Sequence, residues 1–331
     1  MGTASDRSWL IPSVAMTGVL ALFVILFAPA EANYRSALGL LPLWTLCAVV
    51  ISLCAALPMI FAMMRRKEER PIATMTKLIK QRWKKLLVVF VGFELAGLNM
   101  IAFMWAKPLL NYLVPFWADP LLLKIDSIIL LGVRPDRFLA GLNTDGLAIF
   151  YHRFWFAMMV AALLYTLTLQ PSRRKSALLL TYFALWTFVG PIVHSLLPAG
   201  GPIFYERLGH GHLFVPGAPK TNELADYLWS IYSKTGFGPG AGISAMPSLH
   251  IATIVWVCIV ARGRWRWPTY AASFLIFLLS MSLGWHYAVD GIVGGFAAIA
   301  LYRLMISVIG DRRADHSATD GFTRDPIQDP A

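Results

Sequence analysis

Two histidines, set in a chain poor in ionisable groups, carry the chemistry that residue type and spacing offer. The first closes the run Met246-Pro247-Ser248-Leu249-His250. A glycine-rich stretch from Gly236 to Gly242 leads into it and an apolar run follows. Proline is at home in the first turn of a helix, so His250 falls on such a turn. Ser248 can either cap that helix or donate to an anion, and unpaired N–H groups at a helix start attract phosphate. The second histidine lies in Trp285-His286-Tyr287-Ala288-Val289-Asp290. His286 and Asp290 are four residues apart, which on a helix places them on one face within hydrogen-bond reach. A carboxylate that holds one ring nitrogen makes the other a better nucleophile or base. Each part alone also has an ordinary reading, as a capped helix at an interface or as an interfacial ion pair. Together they bring two imidazoles and a carboxylate from opposite ends of one helical hairpin to the same end, and ionisable groups near lipid are costly and usually functional. His210 and His212, spaced His-x-His, could join these three as metal ligands. Solvation in a loop accounts for them equally, and the reading assigns no metal and no cofactor.

The elements that must position these residues are membrane helices. Of the 331 residues 57% are hydrophobic and 14% charged, against about 45–50% and about 25% in ordinary soluble domains. Runs of roughly 20 apolar residues, the length that spans a bilayer, are expected at 9–30, 40–64, 86–106, 148–169, 176–197, 247–262, 268–285 and 289–309. The predicted fold is therefore all-α, a polytopic bundle of about eight spans, the first run being a retained span rather than a cleaved leader. The net charge of +11 sits in short clusters between apolar runs: Arg65 to Lys85, Arg173 to Lys175, Arg262 to Arg266, and Arg312 with Arg313. With eight spans all four fall on one side, the cytoplasmic side by the positive-inside rule. That pattern accounts for the basicity without nucleic acid. The three cysteines, Cys47, Cys54 and Cys258, lie inside apolar runs and imply no disulfide framework.

The opposite side carries two long loops. In 107–147, the segment Pro120 to Leu131 reads either as an amphipathic helix lying on the membrane or as a plain surface loop. The other, 198–246, is rich in Gly and Pro. Trp105, Trp117, Trp229, Trp265, Trp267 and Trp285 fall near the expected interfaces, as an aromatic belt would. His194 is expected to hydrogen-bond inside the bundle, as are Glu94 and Asn99 in the third span. The chain divides into N-terminal helices with an outer loop (1–147), a catalytic bundle (148–309) and a polar, disordered cytoplasmic tail (310–331).

Pro247-Ser248-Leu249-His250 and, about 36 residues later, His286-Tyr287-Ala288-Val289-Asp290-Gly291 resemble the second and third motifs of the type 2 phosphatidic acid phosphatase (PAP2) superfamily. The resemblance covers roughly 176–309 and is nearest the inositolphosphotransferase, or inositol phosphorylceramide synthase, branch and its bacterial relatives. It implies that His286 is a nucleophile forming a phosphohistidine, that Asp290 orients it and that His250 protonates the leaving oxygen. Two features depart from the phosphatase branch. Ser280 stands where that branch has an arginine six residues before the third-motif histidine, and its Lys…Arg-Pro first motif is missing. Pro198 to Arg207, with Gly201 and Tyr205, resembles the Gly-Pro segment of the transferase branch. A cation must still neutralise the phosphate, and Arg207, then Lys220 and Lys234, are the candidates. The implied activity is transfer of a phospho-headgroup, such as phosphoinositol, between membrane lipids, with a lipid phosphate or polyprenyl diphosphate phosphatase as the alternative and a non-enzymatic lipid-binding scaffold or transporter as a third class. The implied setting is a bacterial inner membrane, with the site facing away from the cytoplasm.

Overall fold

The computed structural model describes residues 5–68, 70–214 and 217–321. Among them the chain is all helical, without a strand. The main helices, in chain order, are α1 (Arg7–Phe27), α2 (Leu41–Arg65), α3 (Pro71–Leu113), α4 (Asp119–Ile129), α5 (Asp145–Thr168), α6 (Arg173–Leu196), α7 (Pro219–Ser233), α8 (Leu249–Val260), α9 (Arg266–Ser282) and α10 (Ala288–Gly321).

Six helical segments among the described residues are long and apolar enough to cross a membrane: Arg7–Phe27, Leu38–Arg65, Pro71–Leu113, Asp145–Thr168, Arg173–Leu196 and Ala288–Ile309. They coincide with six of the eight expected runs. The other two become the shorter helices α8, of 12 residues, and α9, of 17. At 1.5 Å per residue these reach about 18 and 26 Å, short of a hydrocarbon core of about 30 Å. Residues at both ends of the first run, and at the C-terminal end of the second, leave the helix. Pro247 and Ser248 precede α8, Ala261 is extended, and Leu283–Tyr287 turn back towards α10.

Helix α3 is longer than its apolar run. It begins at Pro71, where a missing N–H costs nothing in a first turn, and its 43 residues make about 65 Å of helix. Lys77 to Lys85, expected in a loop, are helical and continuous with the span. Inside α6 the π-helical turn Leu185–Val189 precedes Gly190-Pro191. A proline within a helix removes one hydrogen bond and crowds the carbonyl four residues back, and the π turn absorbs that change of register.

Helix α8 is the pivot of the bundle. It packs on α5, α6, α9 and α10, while α1 packs on α3 and α6. Arg174, expected as a cytoplasmic loop charge, donates through Nη2 to the carbonyls of Ile259 (2.8 Å) and Val260 (3.1 Å). A cation there satisfies the last carbonyls of α8 and complements its dipole. Polar groups within the bundle find each other: Asn99 donates to Thr17 and Thr187, and Thr45 donates to Glu94. Leu53, Phe61, Phe274 and Phe296 are exposed, part of an apolar surface far more extensive than a water-soluble monomer shows. Trp105 is buried in the bundle, its indole donating to the Ala32 carbonyl at 2.7 Å. Helix α10 runs on to Gly321, through the first part of the stretch expected to be a disordered tail; residues 322–331 lie outside the described residues.

Candidate active site

His250 sits on the first turn of α8. Ser248 is the N-cap: its side chain accepts from the Ile251 N–H at 3.3 Å, the usual capping bond. Ser248 is fully buried and does not line the cavity described below, so of its two readings the structure has the cap. The His250 ring lies against Trp155 and Tyr151 of α5, with centroids 4.2 and 5.1 Å apart. The Trp155 indole donates to Thr253 at 2.8 Å, which fixes the wall the imidazole rests on.

His286 is not on a helix. It lies in the turn between α9 and α10, so the four-residue spacing to Asp290 does not act as helix-face spacing. Its backbone N–H donates to the Ser280 carbonyl at 3.2 Å. Its Nδ1 is 2.9 Å from the Ala245 carbonyl and 3.6 Å from Asp290 Oδ2. A carbonyl can only accept, so Nδ1 carries the proton and Nε2 the lone pair. The expected Asp290 bond is thus replaced by one to Ala245, because Asp290 Oδ2 reaches back to the Tyr287 N–H at 2.8 Å, the reciprocal half of a capping box. Asp290 is fully buried, and its Oδ1 has no hydrogen-bond partner.

The loop bearing His286 is clamped from outside the hairpin. Helix α4 buries Asp119, Leu122 and Asp126 on one face. Asp126 accepts from the N–H groups of Ala288 (2.7 Å) and Val289 (2.8 Å), capping α10 from another helix. Asp119 accepts from the N–H groups of Gly200 (2.9 Å) and Gly201 (2.8 Å) and from the Tyr287 hydroxyl (3.0 Å). Burial pushes both carboxyls up from the ordinary aspartate value, and the backbone N–H donors oppose it. Of the two sequence readings of this segment, the structure has the amphipathic helix, and its polar face is turned inward. Asp126→Ala would leave two N–H groups of α10 without acceptors, at about 3 kcal/mol or more for two charge-assisted bonds. Thermal denaturation should show a clear loss of stability, with Asp126→Asn, which keeps one acceptor oxygen, falling between; an unchanged melting temperature in the alanine variant would contradict this account of the clamp.

His250 and His286 face one another with ring centroids 6.0 Å apart. Both line a cavity of about 310 Å³, together with His152 and Lys107. Its other walls are largely apolar, from Met100, Phe103 and Met104 of α3, Leu224 and Leu228 of α7, and the loop 240–244. That loop is held by Asn111, which donates to the Ile243 carbonyl and accepts from its N–H, both at 2.7 Å. Asn111 also contacts His194 Nε2 at 3.0 Å, which places His194 inside the bundle. A second cavity of about 270 Å³, lined by Arg134, Asp126 and Asp136, has His286 and Tyr287 in its wall.

The remaining candidates lie apart from the cavity holding both histidines. Arg207 pairs with Asp226 of α7 at 2.5 Å and Lys220 with Glu223 of its own helix at 2.7 Å; a carboxylate takes each charge. Lys234 is the exposed C-cap of α7. Gly201 has φ +97°, and a Cβ there would stand 2.5 Å from the Trp285 carbonyl oxygen. Its lack of a side chain lets the 198–203 loop pack on the His286 turn, and its N–H is taken by Asp119. Tyr205 is buried against His210, 5.1 Å between centroids, and His212 pairs with Glu206 at the surface. Among the described residues no three His, Cys, Asp or Glu side chains are grouped so as to hold a metal ion.

Sequence reading missed His152, whose ring lies 5.9 Å from His250 and 5.8 Å from Trp285. Its signal was a histidine inside the apolar run 148–169. It also read Lys107 as a loop charge and passed over Asp119 and Asp126, whose seven-residue spacing puts both on one helix face.

The PAP2 superfamily family model matches residues 141–304 of the chain, from just before α5 into α10, a segment that includes His152, His250, His286 and Asp290 but not Lys107, Asp119 or Asp126. No curated protein and no solved structure gave a significant match.

Proposed function

We propose that the chain is a membrane phosphotransferase that moves a phospho-headgroup, phosphoinositol or a related phospho-alcohol, from a phospholipid to a lipid alcohol through a phosphohistidine at His286. Members of the PAP2 superfamily are phosphatases or phosphotransferases. The observation that carries the reading is the pair of imidazoles facing each other across one cavity, 6.0 Å between centroids. Reacting atoms approach to about 3–3.5 Å before a bond forms, so rings at that separation can flank a single phosphoryl group.

The steps balance without a cofactor. The Nε2 lone pair of His286 attacks phosphorus as the bond to the lipid oxygen breaks, and that oxygen takes a proton from His250. The phosphorylated ring keeps its Nδ1 proton on the Ala245 carbonyl and becomes cationic, with the Asp290 carboxylate 3.6 Å away to balance it. An acceptor hydroxyl then attacks phosphorus, the P–N bond breaks, and His250 takes the hydroxyl proton. With water as acceptor the same steps release the phospho-alcohol, and on a phosphomonoester or diphosphate lipid they are those of a phosphatase.

The apolar walls support a lipid acceptor over water. So does Ser280, which replaces the phosphatase-branch arginine and is fully buried with its hydroxyl on the Phe277 carbonyl. In this reading α8 and α9 form a short membrane-embedded hairpin between the fifth and sixth long spans, α6 and α10, and complete an eight-helix bundle in which 148–309 carries both histidines and Asp290. The basic clusters then mark the cytoplasmic side, and the cavity opens to the other face of a bacterial inner membrane. The test is purified protein given phosphatidylinositol with and without ceramide. Headgroup transfer that requires ceramide supports the transferase. Release of phosphate or phosphoinositol at the same rate without ceramide makes the chain a hydrolase instead.

A further inference from the structure

The cavity that holds both histidines contains a charge with no counterpart. Its lining includes Lys107, His152, His250 and His286 but neither aspartate nor glutamate. Lys107 makes no hydrogen bond or ion pair with any described residue, while it lies within electrostatic range of His250 and His194. Lys107 is half-buried in the wall of this cavity, and a cation partly withdrawn from water without a partner is costly. Two further donors in the same walls lack acceptors: the indole N–H groups of Trp186 and Trp285 are buried and unpartnered. The N–H groups of Leu249 and His250, the first two of α8, find no acceptor among the described residues either, and a helix start of this kind favours an anion. By contrast, the first N–H groups of α10 are taken by Asp290 and Asp126.

Gly242 holds Lys107 in place. It has φ +91°, and a Cβ there would come 2.8 Å from Lys107 Cγ and from the Pro108 nitrogen. The glycine-rich lead-in to His250 therefore gives the lysine stem room to lie along the loop.

We infer that Lys107 is the cation that binds the phosphate group of the substrate in this cavity, supplying from α3 the charge that the missing motif arginine does not. This rests on the phosphotransfer reading and deepens it. Phosphate is the class of ligand that satisfies one ammonium and several N–H donors at once while offering phosphorus to a neighbouring imidazole. The lysine belongs to a helix outside the matched segment 141–304, so the anion site is assembled from both parts of the chain.

The experiment uses the full chain in detergent and inorganic phosphate as the probe, with affinity measured by calorimetry. Wild type should bind phosphate, His286→Ala should bind it comparably while losing turnover, and Lys107→Met should bind it roughly 30-fold or more weakly. Lys107→Arg should retain most of the affinity, and Lys107→Gln replaces the methionine variant if that one does not accumulate. In turnover, Lys107→Met should raise KM and lower kcat together. Equal phosphate affinity in wild type and either neutral variant, or no phosphate binding by wild type, overturns the assignment. Turnover by His286→Ala would instead overturn the phosphohistidine while leaving the anion site standing.

Discussion

His286→Ala is expected to lower turnover by more than about 10⁴-fold, the scale on which removal of a covalent nucleophile is felt. The side chain is almost fully buried, so its loss leaves a small void, but the turn that carries it is held by backbone bonds the substitution does not touch. The Trp285 and His286 N–H groups reach the Ser280 carbonyl, and Asp126 caps α10. The variant should accumulate, elute as wild type does and melt within a few degrees of it. Brief exposure of wild type to labelled donor lipid should trap an acid-labile, base-stable phosphoryl label on the chain, and His286→Ala should trap none. Near-normal turnover in the variant, or a label that survives the substitution, would falsify covalent catalysis at this position.

His250→Ala is expected to cost about 10²–10⁴-fold, the usual contribution of a positioned general acid or base, and the loss should depend on the leaving group. A lipid alkoxide is a poor leaving group and needs the proton. A nitrophenolate does not, so the first step with a nitrophenyl phosphodiester should fall by less than about tenfold. An equal loss with both substrates would mean that His250 works by binding phosphate rather than by moving a proton. The geometry makes this contrast informative, because the ring is fixed against Trp155 and Tyr151 and its removal disturbs few other contacts.

The two predictions rest on features with different origins. The hairpin was legible. Apolar runs flanked by turn residues place His250 at the start of α8 and His286 after α9, and both had to arrive at one end. The partner of His286 was not. Four-residue spacing describes neighbours on a helix, and the chain leaves the helix there, so Nδ1 bonds a carbonyl 41 residues away while Asp290 caps the next helix. The charge was misread for a similar reason. Arg207 closes the segment that resembles a substrate loop and Lys220 follows on α7, but nearby carboxylates pair with both. Lys107, at the end of an apolar run, looked like an ordinary boundary residue.

The boundary at residue 147 shows the same limit. Composition divides the chain there, yet the cavity takes Met100, Phe103, Met104 and Lys107 from one side and the histidines from the other. Asp126 caps a helix 162 residues further along.

Hydropathy, basic clusters and the two histidine motifs, read alone, determined that this is a helical, membrane-type chain with two imidazoles at one end of a hairpin. Those are local properties, set by the solvent each run of residues can tolerate and by spacing within a few turns. Only the packed structure decided which oxygen holds His286, which carboxylates clamp its turn and which cation shares its cavity. Each of those contacts joins residues far apart in sequence, and their pairing follows from how helices pack and from the need to satisfy every buried polar group, neither of which any short stretch of the chain encodes.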